Sequence, residues 1–277
     1  MSQGSFFGPE LAPSSKPVGD HWQTLRILIT VKAAPNPSAT YGETVCVAGL
    51  SMDPARPGWV RLYPINFRDL ESDDQFNKYD VVTLRAKPAR NDPRVESWRP
   101  DMSSLERERR LGAWNPRRPH VEPYVDGSMC DLLDAVRTDP PAKSLAAIRP
   151  ARVQGLDIEP HPGWSDGDKT KIDQYINQLD LLGSDRTALE APRLQGWYRY
   201  RCLSDRCRGH RQGILDWEFV ALQRRLRALD DAALTDELRN KFMHQLCAHD
   251  RDVVFYVGNQ AKRQHVFSVL GVYWPPR

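Results

Sequence analysis

Four short runs of β-branched and aromatic residues, separated by turn signals, dominate the first third of the chain. They cover residues 25–33 (LRILITVKA), 42–50 (GETVCVAGL), 58–65 (GWVRLYPI) and 79–88 (YDVVTLRAKP). Each run has the length and residue types of a β-strand. The intervening PNPSATYG and DPARPG segments are rich in turn-forming residues. Strands of this length and spacing predict a small, strongly curved sheet or a partly closed barrel.

The rest of the chain mixes helix and strand signals. Apolar periodicity and capping residues predict helices over residues 102–114, 128–139, 169–183, 216–230 and 235–247. Residues 144–160 have the pattern of a turn followed by a strand, and strand-like runs cover residues 196–202, 252–259 and 265–274. The patterns together predict an α+β fold: an N-terminal curved β-sheet or small barrel, a helical middle, and a C-terminal α/β portion with a zinc knuckle.

Composition shifts along the chain indicate four regions. We expect a flexible leader over 1–23, a β-rich barrel-like domain over 24–100, a mixed helical connecting region over 101–192, and a basic α/β portion with a Cys/His cluster over 193–277. The last region holds 15 Lys/Arg against 9 Asp/Glu, whereas the other residues hold 24 against 27. This asymmetry fits a polyanionic partner, although ordinary scatter of surface charge would also produce it.

Neither a membrane segment nor an export signal is visible. No apolar run approaches the roughly 18 residues that span a bilayer, and the start of the chain lacks a basic segment followed by an apolar one. We therefore expect a cytoplasmic protein with no membrane partner. In a reducing compartment the five cysteines argue against a disulfide framework and leave metal or thiol chemistry open.

Several segments resemble one uncharacterised group of bacterial proteins. They are YGETVCVAGL…GWVRLYPINFR, YRYRC…C-x-GH…ILDWE and FYVGNQ…FSVLGVYWPP, so the likeness covers most of residues 25–277. No established reaction is known for that group. The resemblance therefore implies a self-contained protein type and transfers no catalytic residue.

A compact Cys/His pattern follows the strand predicted over 196–202. Cys202, Cys207 and His210 have the spacing C-x4-C-x2-H, and thiolates and imidazoles are the ligands that zinc prefers. We predict a zinc site formed by these three residues, with Cys247 or His249 as the fourth ligand. Two buried cysteines without a metal, or a catalytic thiol at Cys207, are the alternatives.

Two carboxylates open the helix predicted over 216–230. Asp216 and Glu218 suit the positive end of a helix, where acidic residues act as caps. The alternative interpretation is catalytic: Asp216, Glu218 and Lys262 would serve a metal-dependent nuclease or related hydrolase that uses Mg²⁺.

Aromatic and basic residues alternate in the strand predicted over 58–65. Trp59, Arg61 and Tyr63 share one face of it. If that face is exposed, it can stack bases; if it is buried, the aromatic rings belong to the core and Arg61 needs a partner. We expect phosphate contacts from basic side chains of the C-terminal region, namely Arg199, Arg201, Arg208, Arg211, Arg224 and Lys262.

These observations favour a nucleic-acid-binding protein with a structural zinc site, acting in DNA or RNA processing or defence. A metal-dependent nuclease and a protein-interaction or regulatory subunit are the two alternatives.

Overall fold

The computed structural model describes residues 15–66, 75–138, 143–180, 188–261 and 263–277. Most of the predicted leader and Lys262 lie outside the described residues. The strands are β1 (Gln23–Lys32), β2 (Asn36–Ser38), β3 (Gly42–Ser51), β4 (Trp59–Ile65), β5 (Asp80–Pro88), β6 (Ser97–Arg110), β7 (Val125–Asp126), β8 (Leu145–Ile148), β9 (Arg152–Pro160), β10 (Leu194–Arg201), β11 (His210–Gly213), β12 (Val254–Gln260) and β13 (Arg263–Tyr273). The helices are α1 (Arg118–Val121), α2 (Met129–Thr138), α3 (Asp166–Asp180), α4 (Trp217–Arg225) and α5 (Asp231–Arg239), with a 3₁₀ turn at Glu122–Tyr124 and a π-helical segment at Asn240–Gln245.

Five strands close into a barrel in the N-terminal part. The hydrogen-bonded order is β1–β5–β6–β4–β3, and β3 returns to β1. The β4–β6 pair is parallel and the other four pairs are antiparallel. Gly49 allows β3 to cross β1 closely, because a β-carbon there would lie 2.3 Å from the Leu28 carbonyl oxygen. The predicted small barrel is thus confirmed.

The apolar runs of this barrel are nearly continuous because both faces of several strands are buried. On β1, Ile27 and Ile29 point into the barrel, whereas Leu28 packs outward against residues of the C-terminal half. On β3, Val47 belongs to the interior and Leu50 to the outer contact. Strands buried on both sides lose the polar alternation of an exposed sheet.

The helix predicted over 102–114 is wrong. Residues 97–110 instead form β6, which pairs antiparallel with β5. Ser104 accepts a hydrogen bond from the Arg85 backbone N–H at 2.8 Å across the sheet. Glu108 accepts from Arg26 on β1 and from Thr83 on β5 at 2.7 Å each. Cross-strand pairing thus overrides a local helix preference of a few tenths of a kcal/mol per residue, roughly.

The C-terminal half repeats the strand order of the first barrel. A broken first strand, β8 and β9, pairs with β12 through its first part and with β10 through its second part. Strand β10 pairs with β11, β12 pairs with β13, and a parallel bridge from Ile214 to Val269 joins the end of β11 to β13. In both halves the first strand contacts the second and fourth, and the third runs parallel to the fifth. This is the order of the OB fold, a five-stranded Greek-key barrel.

The helices predicted near residues 128–139, 169–183, 216–230 and 235–247 are present, with shifted ends. Asp216 caps α4 and Asp230 caps α5. The last helix continues into the π-helical segment, where the Phe242 carbonyl accepts a hydrogen bond from the buried Tyr198 hydroxyl at 2.7 Å. The α+β fold class is therefore confirmed. Within the described segments, no helix combines the length and apolar character needed to cross a membrane.

An apolar cluster outside the two barrel interiors joins the barrels. It combines Leu28, Leu50 and Tyr79 of the first barrel with Tyr256 and Tyr273 of the second, among other buried residues. Because this contact is apolar and buried, the two barrels pack as one body.

Candidate functional site

Three cysteines and one histidine converge beside the second barrel. The ligand atoms of Cys130, Cys202, Cys207 and His210 all lie within 4.8 Å of one another. The Cys202–Cys130 sulfur distance is 3.6 Å, and His210 Nε2 lies 3.3 Å from the sulfurs of Cys202 and Cys207 and 3.6 Å from that of Cys130. A tetrahedral zinc ion requires edges of about 3.8 Å between sulfurs and about 3.6 Å between sulfur and nitrogen. The group could therefore hold a metal such as zinc.

The hairpin between β10 and β11 presents three of these ligands. Cys202 follows the end of β10, and His210 is the first residue of β11; we call residues 202–210 the knuckle. Between them Gly209 adopts a φ of +107°, which a side chain would strain. The Cys202 backbone N–H points at the Cys207 sulfur at 3.4 Å, which is how a knuckle turn satisfies a metal-binding thiolate.

The fourth member comes from α2. Cys130 lies in its first turn, and Arg206 of the knuckle forms ion pairs with Asp131 at 2.9 Å and Asp134 at 2.7 Å on the same helix. These exposed ion pairs link the helix to the hairpin. Four protein ligands fill a tetrahedral set, so the geometry is that of a closed, structural site.

Hydrogen bonds favour a thiolate at Cys202. Burial disfavours its charged form, but backbone N–H groups of Ser204 and Cys130, with Ser128 and His210, outweigh burial and lower the pKa of Cys202 to about 5. Burial, and then the neighbouring Cys202, raise the pKa of Cys130 to about 12. The two shifts are linked, because a thiolate at Cys202 repels a second negative charge. A divalent cation between the sulfurs would stabilise both thiolates.

The spacing pattern found three of the four clustered residues. The predicted fourth ligands, Cys247 and His249, lie outside the group: the Cys247 thiol points at the Phe242 carbonyl at 3.5 Å, and His249 is exposed. Cys130 could not be found by spacing, because it lies 72 residues before Cys202 and belongs to no local motif. The only sequence signal for it was its position near the start of a predicted helix.

The two carboxylates at the start of α4 have structural partners. Asp216 is buried, accepts hydrogen bonds from Lys78 Nζ at 2.7 and 2.8 Å, and caps α4 by accepting from the Glu218 N–H at 3.0 Å. Glu218 is exposed and lies 3.3 Å from Lys78. Burial lowers the pKa of Lys78, but the two carboxylates more than offset this and hold that pKa above its usual value. Lys262, the third member of the predicted catalytic set, lies outside the described residues.

The predicted stacking strand faces the barrel junction. Arg61 is 3 % exposed and donates to the backbone and side-chain oxygens of Ser144 at 3.1 and 3.0 Å. Trp59 packs edge-on against Tyr124 and Tyr256. Tyr63 alone of the three is exposed. The interpretation that placed this face in the core, with Arg61 paired, therefore describes two of the three side chains.

An exposed face of the second barrel brings several of the predicted basic residues together. We call the outward side of β9, β10 and β11 the basic face; it carries Arg152, Asp157, Glu159, Trp197, Arg199, Arg201 and Arg211. Arg199 and Arg211 form ion pairs with Asp157, at 2.8 and 2.9 Å. Arg201 and Arg152 are cross-strand neighbours and exposed. Trp197 was not among the predicted residues, although its alternation with Arg199 and Arg201 was visible in the sequence.

The other predicted phosphate contacts lie away from this face. Arg208 is exposed in the knuckle turn. Arg224 is on α4, with its guanidinium 5.9 Å from the Trp217 ring.

Two family profiles match consecutive parts of the chain. One is "Domain of unknown function (DUF8758)", over residues 23–123, and the other is "Domain of unknown function (DUF8757)", over residues 125–277. A search of curated proteins found no match. Among solved structures, the crystal structure of the tetrameric p202 HIN2 covers 95 % of this chain and 100 % of its own, at 8 % identity and a TM-score of 0.28, which is too low to support any argument. These findings agree with the resemblance to an uncharacterised group. Since the DUF8757 profile spans more than half of the chain, this protein belongs to that family of unknown function.

Proposed function

We propose that this protein binds nucleic acid through the basic face and that a structural zinc ion holds the adjoining knuckle. One observation carries the proposal. Arg152 and Arg201 face each other in register on exposed strands, and neither forms an ion pair with an acidic residue of the described chain. Like charges opposite each other destabilise a sheet, so a polyanion such as a nucleic-acid backbone would relieve a repulsion that the protein itself does not.

Zinc supports this function by position. Arg201 directly precedes the ligand Cys202, and β11 begins at the ligand His210. A metal bound by the four side chains would therefore fix the ends of β10 and β11, two of the three strands that carry the basic face. The chemistry supplied by the ion is structural, because all four positions are taken by protein ligands.

Metal content tests the first half of the proposal. We expect one zinc per chain in the purified protein, measured by elemental mass spectrometry. Cys207→Ser should lose it, whereas the control Cys247→Ser, which changes a thiol outside the cluster, should keep it. No zinc in the wild-type protein, or equal loss in both variants, would contradict the site.

Binding measurements test the second half. Fluorescence anisotropy with labelled oligonucleotides should show that affinity falls steeply as salt concentration rises. The logarithm of the association constant should fall with the logarithm of salt concentration, with a slope of roughly 0.7–0.9 per phosphate contact. The double change Arg152→Ala/Arg201→Ala should reduce that slope by about 1–2. Arg239→Ala is a matched control, because Arg239 is a partly exposed arginine on α5 that, among the described residues, forms an ion pair only with Asp236 of its own helix. Salt-independent binding, or equal slopes for both variants, would refute the proposal.

A further inference from the structure

The middle of the basic face forms a flat stack. The Arg211 guanidinium lies 4.0 Å from the centre of the Trp197 ring. Arg211 reaches from β11 across β10 to the carboxylates of Asp157 and Glu159 on β9, at 2.9 and 2.7 Å. Ion pairs on the far strand therefore hold the guanidinium against the indole. Gly213 lies opposite Trp197 in the neighbouring strand, so no side chain there competes for the space.

A second guanidinium lies beside this stack. A β-carbon on Gly155, the cross-strand partner of Arg199, would come within 2.7 Å of Arg199 Nη2. Because residue 155 is glycine, the Arg199 guanidinium can pack flat against the surface of the sheet. Arg199 Nε donates a hydrogen bond to Asp157 at 2.8 Å. The two Nη groups of Arg199 bind neither Asp157 nor Glu159.

The arginines of the basic face that form no ion pair within the described residues lie at its end next to the knuckle. Arg201 lies four positions after Trp197, which at the rise of an extended strand is about 13 Å. Arg152 stands beside Arg201 at that end. A ligand that covers both the stack and the arginine pair must therefore be longer than one nucleotide and must carry negative charge along its length.

We infer that the basic face binds single-stranded nucleic acid, with an unpaired base on the Trp197–Arg211 stack and backbone phosphate between Arg152 and Arg201. The inference rests on the proposed function and adds the class of nucleic acid. Stacking requires the open face of a base, on an aromatic ring or a guanidinium plane. A duplex buries the faces of its bases and presents groove edges and backbone, so it offers no open base face to the Trp197–Arg211 stack.

Three probes of one sequence separate stacking from charge. They are a labelled single strand of about 12 nucleotides, which is within the site size of one OB barrel, its blunt duplex, and a single strand of equal length made of abasic units. The full chain, loaded with zinc, is titrated by anisotropy at about 0.1 M salt, where exposed charges are only partly screened. The base-bearing single strand should bind at least tenfold more tightly than the other two.

Variants assign the two parts of the face. Trp197→Ala should weaken binding of the base-bearing strand roughly tenfold and leave the abasic strand unaffected, while Trp197→Phe should restore most of the affinity. Arg211→Lys should behave like Trp197→Ala, because it keeps the charge but removes the planar surface. Arg201→Ala should weaken both single-stranded probes, and Arg239→Ala neither. Zinc content and far-UV circular dichroism establish that each variant is folded.

The outcomes distinguish the inference from the function beneath it. If duplex and single strand bind equally and Trp197→Ala changes nothing, the inference is overturned while nucleic-acid binding stands. If abasic and base-bearing strands bind equally, the stack has no role and the inference is likewise overturned. If no probe binds, both the inference and the proposed function are rejected.

Discussion

At the scale of single residues, burial decides which sequence signals belong to a site. The alternation of Trp59, Arg61 and Tyr63 correctly places them on one strand face, but the sequence contains no local sign that a second barrel covers most of that face. Arg61 and Trp197 occur in the same kind of aromatic and basic pattern. One is buried against Ser144 and the other lies on an open sheet. Long-range packing, which no short window encodes, separates the two.

Asp216 shows the same distinction for acidic residues. The interpretation as a helix cap describes its contact with the Glu218 N–H, but its buried partner Lys78 is 138 residues away. We expect Asp216→Asn to cost about 3 kcal/mol of unfolding free energy, because it keeps a capping side chain but leaves Lys78 without its closest counterion. Asp230→Asn is the control: it changes an exposed cap with no buried lysine and should change stability by less than about 0.5 kcal/mol. Equal effects in urea unfolding would mean that the ion pair adds nothing beyond the cap.

A pH dependence follows from Asp92. Burial raises its pKa, but hydrogen bonds and charge from Arg94 prevail and lower it to about 2. A carboxyl group whose pKa is lower in the folded state than in the unfolded state stabilises the fold at pH values above its unfolded pKa of about 4. That contribution disappears as the pH falls to the folded-state pKa. We expect Asp92→Asn to lose about 2 kcal/mol at pH 7 and to converge with the wild type near pH 2. Urea unfolding across this range measures it; a constant difference at every pH would contradict the assignment.

At the scale of elements, local propensity predicts strands and helices well where packing agrees with it. The four N-terminal strands and the helices α2, α3, α4 and α5 were predicted from periodicity and caps. The 102–114 segment failed because its charged residues suit an exposed helix and an exposed strand equally, and only pairing with β5 decides between them. The knuckle was predicted from residue spacing because metal ligands in a tight turn leave a short, local pattern.

The knuckle turn depends on one backbone conformation. Gly209 has a φ of +107°, so Gly209→Ala should strain the turn by roughly 1–3 kcal/mol and weaken zinc binding by tenfold or more. Gly213→Ala, four residues later on the same hairpin, is the matched control: its φ is ordinary and a β-carbon would meet Trp197 only at 3.6 Å. Competition with a chromogenic zinc chelator compares the two affinities. If both variants bind zinc alike, the turn does not control the site.

At the scale of the whole molecule, the chain is two barrels of one strand order. No internal repeat is visible in the sequence, because the halves share pairing order and not residue pattern: β1 is continuous, whereas its counterpart is broken into β8 and β9. The second and third strands of each barrel, β3 and β4 in the first and β10 and β11 in the second, differ in how far their outer faces are covered. The second barrel covers most of the outer face of β3 and β4, whereas none of the residues that the structure describes covers the outer face of β10 and β11. The open copy is therefore the one available for a partner.

The buried cluster between the barrels should make them unfold together. Leu28 and Ile27 are adjacent on β1 and both fully buried, but Leu28 faces the second barrel and Ile27 the interior of the first. In the wild type we expect one transition, with tryptophan fluorescence and far-UV circular dichroism coinciding in urea. Either alanine substitution should cost about 2–5 kcal/mol. Leu28→Ala should in addition separate the transition into two, because it weakens the contact that couples the barrels, whereas Ile27→Ala should lower a single transition. Two transitions in the wild type would show instead that the barrels are independent, and the covered face of β3 and β4 could then open to a ligand.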